Sequence, residues 1–179
     1  MPDGGKMPAT GFIERLRLPA CYPHPAGPVE LLETHISWVL LAGDFAYKVK
    51  KPVDLGFVDF STLAARRRFC EEELRLNRRT APELYLGVVP ITGTPLAPAM
   101  GGEGEAFEYA VRMRRFPQEA LLDGLAKAGA LTERIVEDFA RTVATFHAGI
   151  ARTDGEGPFG APRTILADAG DNFAQLELL

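Results

Sequence analysis

The stretch Phe45-Ala46-Tyr47-Lys48-Val49-Lys50, residues 45–50, decides the fold. Strand alternation puts Phe45, Tyr47 and Val49 on one face and Ala46, Lys48 and Lys50 on the other. A small residue two positions before a lysine, on the same face, leaves flat space for a planar ring beside a charge that reaches phosphate oxygens. The competing interpretation of this strand taken alone is an edge strand with solvated lysines.

Working outward, Val29 to Thr34 and Ser37 to Leu41 read as two preceding strands, with Ala42-Gly43-Asp44 as a tight turn into the third. Gly11 to Leu18 reads as a short helix that turns Phe12, Ile13 and Leu16 inward and ends at Pro19, and Met1 to Thr10 as a loose tail. Beyond an irregular connection, Ser61 or Asp59 is expected to cap a helix that runs to about Arg79 and stops at Ala81-Pro82. Leu86 to Ile91 and Phe107 to Met113 follow as strands, separated by a turn and by the glycine-rich Pro98 to Glu105 segment, expected to be flexible. After Pro117 the pattern is helical: Gln118 to Ala128, then Thr132 to Ile150, capped by Thr132, then a last helical run from Ile165 to the end. The expected organisation is a tail and short helix over 1–28, a β-rich lobe over 29–116 and the first helices of a second lobe over 117–179.

The helix after the third strand carries Glu71, Glu72 and Glu73, which do not share an environment. At helical spacings Glu71 and Glu72 neighbour Arg67, Arg68, Arg75 and Arg79, which makes a solvated face. Glu73 neighbours Phe69, Cys70, Leu76 and Asn77, which places it toward the sheet, where a carboxylate is costly to desolvate without a cation. Lys48 is the available cation; the alternative is a Glu73 at the helix boundary that reaches water. In the turn between the first two strands, the backbone amides and the hydroxyls of Thr34 and Ser37 are candidate phosphate donors, with His35 a further donor or a structural residue.

Composition bounds the rest. The chain has 179 residues, 46% hydrophobic and 25% charged, enough for one domain or for a lobe and the start of another. Cys21 and Cys70 make no disulfide framework, and His24, His35 and His147 do not fall at metal-ligand spacing. These features, with no run near the roughly 20 apolar residues of a membrane span, lead to the expectation of a soluble cytoplasmic protein. A net charge of −4 and a pI near 5.5 argue against a nucleic-acid partner despite arginines at 66–68, 78–79, 112 and 114–115. The apolar end at Leu178-Leu179 reads as a cut or as an interface, for self-association or for a missing part of the second lobe.

Three runs carry a family resemblance: Glu33-Thr34-His35-Ile36-Ser37-Trp38-Val39, Tyr47-Lys48-Val49-Lys50-Lys51-Pro52-Val53-Asp54-Leu55-Gly56-Phe57-Val58-Asp59-Phe60, and Cys70-Glu71-Glu72-Glu73-Leu74-Arg75-Leu76-Asn77-Arg78-Arg79. With Tyr85-Leu86-Gly87-Val88-Val89-Pro90, they resemble the aminoglycoside phosphotransferase-like kinases of bacteria, in the branch often followed by a P-loop ATPase domain. The resemblance implies an α+β, protein-kinase-like fold, with an N-lobe of about five antiparallel strands and one helix joined by a hinge to a helical C-lobe. It implies magnesium-bound ATP as cofactor and an unnamed small-molecule hydroxyl as acceptor. By position, Lys48 resembles the lysine that holds the nucleotide phosphates and Glu73 its helix partner, while Ala46 would line the adenine pocket. The backbone around Met113, Arg114 and Phe116 would be the hinge, and His147 would be structural.

The sequence departs from that family in one respect. No His-Gly-Asp catalytic loop occurs; Asp154-Gly155 falls in a loop and Asp168-Ala169-Gly170-Asp171-Asn172 in a helical pattern. Without the base and the magnesium ligands, this chain alone is expected not to turn over. The alternative is a kinase-like binding or regulatory module without phosphoryl transfer.

Overall fold

A computed structural model of the protein describes residues 11–152 and 160–176. The tail at 1–10, the Asp154-Gly155 segment and Leu178-Leu179 lie outside the described residues. The chain divides into two units, one ending at Leu131 and one beginning at Thr132.

The first unit is α+β. Six antiparallel strands form one sheet: β1 (Glu30–Glu33), β2 (Ser37–Ala42), β3 (Phe45–Lys50), β4 (Tyr85–Thr94), β5 (Ala97–Met100) and β6 (Glu108–Arg114). Their order is β1-β2-β3-β6-β4-β5, so the strand of Lys48 lies inside the sheet, between β2 and β6. The edge-strand interpretation of residues 45–50 is thereby corrected. Trp38, Leu40 and Ala42 stand opposite Val49, Tyr47 and Phe45, and all but Phe45 are buried in the main core. Covering this face are helix α1 (Gly11–Arg15), which turns Phe12 and Ile13 inward, and the loop after it. Tyr22 donates its hydroxyl to the Leu16 carbonyl at 2.8 Å, and Tyr47 meets His24 Nε2 at 2.8 Å.

Gly43 closes the β2–β3 turn with φ +56, and a Cβ there would stand 2.4 Å from the Pro25 carbonyl oxygen. Its own N–H donates to Ala26 at 2.7 Å. Glycine is required by both the left-handed backbone and the close approach.

Helix α2 (Leu63–Asn77) packs against β6 and β4. Its cap is Thr62, whose hydroxyl accepts from the Ala65 N–H at 3.1 Å; Asp59 accepts instead from the Ser61 N–H at 2.8 Å. The cap expected at Ser61 or Asp59 is corrected accordingly, because Asp59 is spent in a turn that ends before the helix begins.

Two further expectations are corrected. About five strands were expected and six form: residues 97–100, expected to lie in the turn and the flexible segment, pair with β4 as a hairpin turned at Pro95-Leu96. Pro98 is tolerated because β5 is the sheet edge. Gln118 to Ala128 is not one helix; Gln118–Ala120 is a 3-10 turn, Leu121 is extended, and α3 (Leu122–Lys127) follows.

In the second unit, α4 (Glu133–Gly149) is capped by the Thr132 hydroxyl and α5 spans Pro162–Leu176. Asp168 and Asp171 lie within α5. Among the described residues no helix is long and apolar enough to cross a membrane.

Candidate functional site

The chemistry gathers on the sheet face opposite the main core, where strand alternation turns Ala46, Lys48 and Lys50. Lys48 Nζ donates to Glu73 Oε1 at 2.9 Å, and Lys50 Nζ donates to Glu73 Oε2 at 2.8 Å. The three side chains differ in enclosure: Lys48 is 29% exposed, Glu73 12% and Lys50 6%. Burial drives the Glu73 carboxyl upward, but the bond from Lys50 and the charges of both lysines outweigh it, leaving Glu73 below the usual carboxylate range. The carboxylate is therefore ionised at neutral pH. Asn77 donates to the Glu73 carbonyl at 2.8 Å, one turn on.

Beside this group lies a cavity of about 310 Å³, at the lower end of the roughly 300–1,000 Å³ range of small-molecule sites. Ala46 and Lys48 line it from β3, Val39 and Leu41 from β2, and Met113 and Arg114 from β6. Leu32, Thr34, Tyr85 and Phe116 complete most of the wall. Tyr85 stands where the β4–β6 register shifts before Gly87, a bulge that re-aims a side chain. Burial raises its phenol, with the Glu73 charge adding to the effect.

At the mouth, residues 114–117 have one open backbone amide among the described residues. The Arg114 N–H donates to the Leu84 carbonyl and the Arg115 N–H to the Asp44 carbonyl, each at 2.8 Å. Pro117 has no N–H, so Phe116 carries the amide of residues 114–117 that is without a partner among the described residues.

A second, wider cavity of about 640 Å³ adjoins the same rim, sharing Leu32, Leu41, Arg114, Arg115, Phe116 and Gln118. Glu30, Gly43, Asp44, Pro117 and Glu119 make up the rest of its wall, and none of the lysine–glutamate group reaches it. The smaller cavity carries the chemistry.

Of the residues singled out from sequence, Thr34, Ala46, Lys48, Met113, Arg114 and Phe116 line this cavity, and Glu73 stands behind Lys48. His35 and Ser37 do not line it. His35 is exposed, and Ser37 is fully buried with a hydroxyl that has no partner among the described residues. The Thr34 hydroxyl is engaged within the turn, donating to the Ser37 carbonyl at 3.2 Å and accepting from its N–H at 3.0 Å. Lys50 and Tyr85 were not singled out. Alternation placed Lys50 on the right face, but spacing gives a face and not a reach; Tyr85 depends on a bulge that leaves no mark in composition. Cys70, buried on α2 near the group, has its thiol pushed up to about 12 by burial, so it stays protonated.

No family model matches the chain, and no solved structure matches it. It is similar to uncharacterized proteins of two strains of Mycobacterium tuberculosis and of Mycobacterium bovis, each 36% identical over 147 residues, which is 79% of this chain. Those residues make up 28% of each relative, so the chain corresponds to under a third of the length of the curated relatives it matches.

Proposed function

We propose that this chain is the nucleotide-binding portion of a kinase-like phosphotransferase that moves the ATP γ-phosphate to a small-molecule hydroxyl. The observation that carries the proposal is the position of Lys48, at the wall of the cavity and bonded at 2.9 Å to Glu73 from the helix behind it. A mostly apolar cavity with a held ammonium at its wall suits an adenine ring followed by phosphates. Ala46 leaves room for the ring, and Val39, Leu41 and Met113 give it apolar contact. The Phe116 N–H is the donor for a ring nitrogen, and Lys48 is the cation for the phosphates.

Magnesium supplies charge neutralisation to the phosphates when it enters with the nucleotide. No residue of this chain is assigned as its ligand, and Asp168 and Asp171 are not proposed as such. The acceptor hydroxyl and the group that positions it belong, in this proposal, to the longer protein.

A second reading is a kinase-like binding or regulatory module without phosphoryl transfer; a His-Gly-Asp sequence and a downstream Asp in the longer protein would favour the enzyme, and their absence there the module. The two share the nucleotide cavity and differ in turnover by the longer protein. The test common to both is calorimetric titration of the chain with magnesium-bound ATP: saturable binding lost in Lys48→Ala is expected, and identical heats in the two proteins would overturn the assignment.

A further inference from the structure

Lys50 lines neither cavity, yet it is the most enclosed charge of the group. Its side chain is 6% exposed, its Nζ donates to Glu73 Oε2 at 2.8 Å, and the same ammonium stands 5.0 Å from the centre of the Phe60 ring. Lys48 is the more open partner at 29% exposed, and it alone of the two reaches the cavity. Each lysine occupies its own oxygen of a single carboxylate. Lys50 is therefore sufficient to neutralise Glu73, and Lys48 is a positive charge in excess at the cavity wall.

The consequence concerns what happens when an anion arrives. With Lys48 and Glu73 alone, drawing the ammonium toward a phosphate would leave an enclosed carboxylate with no counter-ion, which is strongly unfavourable. With Lys50 in place Glu73 stays paired throughout, and the Lys48 ammonium has only to turn from Oε1 to the phosphate oxygen. Resting on the nucleotide-site reading above, we infer that Lys50 is a positioning residue for phosphate binding, the standing counter-ion of Glu73 that leaves Lys48 free to engage the nucleotide. Lys50 acts through Glu73 and does not touch the ligand.

Dissociation constants of magnesium-bound ATP and of adenosine, measured on the 179-residue chain at fixed ionic strength, test this. Lys50→Met is expected to weaken ATP by about tenfold or more and to leave adenosine unchanged, while Lys50→Arg stays within about threefold of wild type. Lys50→Met combined with Glu73→Gln is expected to match Glu73→Gln alone within about threefold, because without the carboxylate Lys50 has nothing to neutralise. That comparison stands even where Lys50→Met by itself does not fold. A lower melting temperature for Lys50→Met with unchanged ATP affinity would overturn the inference, as would unequal affinities in the Glu73→Gln pair. If wild type binds ATP, Lys48→Ala abolishes binding and Lys50→Met binds as wild type does, the role of Lys50 fails while the nucleotide site stands. If wild type binds neither ATP nor adenosine, both fail.

Discussion

Lys48 Nζ and Glu73 Oε1 lie 25 positions apart in the chain and meet at 2.9 Å, where β3 faces α2. The contact ties the sheet to helix α2, and Lys50 doubles it on the second oxygen at 2.8 Å. An ionised carboxylate 12% exposed persists there because both oxygens are matched by cations.

Glu73→Gln keeps the shape and removes the charge, leaving Lys50 enclosed without its anion. Breaking one partner from a buried pair costs roughly 3–5 kcal/mol. Urea unfolding at pH 7 is expected to show a loss of that order, and a change within about 0.5 kcal/mol, the range of ordinary surface substitutions, would contradict the structural weight given to the group.

The same carboxylate sets a pH dependence. Glu73 titrates below its unfolded value, so its contribution is fully present above about pH 4.3 and is lost as pH falls through the depressed folded value. Glu108 works the other way: burial raises its carboxyl and outweighs Arg66, so its contribution is present below the unfolded value and fades as pH rises. The comparison that isolates Glu73 is wild type against Glu73→Gln by urea unfolding from pH 3 to 7. The difference between them is expected to be full at pH 5 and above and to shrink below pH 4; a difference constant across the range would contradict the assignment.

Much of this arrangement is legible in the sequence, and the rest fails for physical reasons. Alternation at Ala46, Lys48 and Lys50, together with the spacing that separates Glu73 from Glu71 and Glu72, brings the right strand face to the right helix face. The edge strand β5 was hidden because Pro98 and the glycines after it are strand breakers everywhere except at an edge. The cap at Thr62 was hidden among three neighbouring cap-type residues, Asp59, Ser61 and Thr62, and only the turn geometry assigns each its partner. Residue type alone does not tell that the Thr34 hydroxyl bonds back to the Ser37 backbone, or that Ser37 begins β2 with its own hydroxyl buried.

Gly43→Ala tests the turn that sets β3 in register with β2. The left-handed φ of +56 and the 2.4 Å approach of a Cβ to the Pro25 carbonyl oxygen both oppose a side chain. A loss of about 2 kcal/mol or more is expected in denaturant unfolding, and an unchanged midpoint would contradict the turn geometry.

Ala46→Leu tests the cavity itself. Ala46 is buried on the cavity wall among Val39, Leu41 and Met113, so a leucine projects into the slot. Binding of magnesium-bound ATP is expected to weaken by at least about tenfold, with a stability loss no larger than the about 3 kcal/mol of an overpacked site. Equal binding would place the nucleotide elsewhere.

The central claim is that Lys48 stands in a nucleotide site, and thermal unfolding of the chain with and without magnesium-bound ATP, beside Lys48→Ala, tests it most directly. A ligand that binds only the folded state stabilises it by about 2.7 kcal/mol at 100 times its dissociation constant, a shift of several degrees for a chain of this size. The account predicts that shift in wild type and its loss in Lys48→Ala. The same shift in both proteins, or none in wild type, would contradict it.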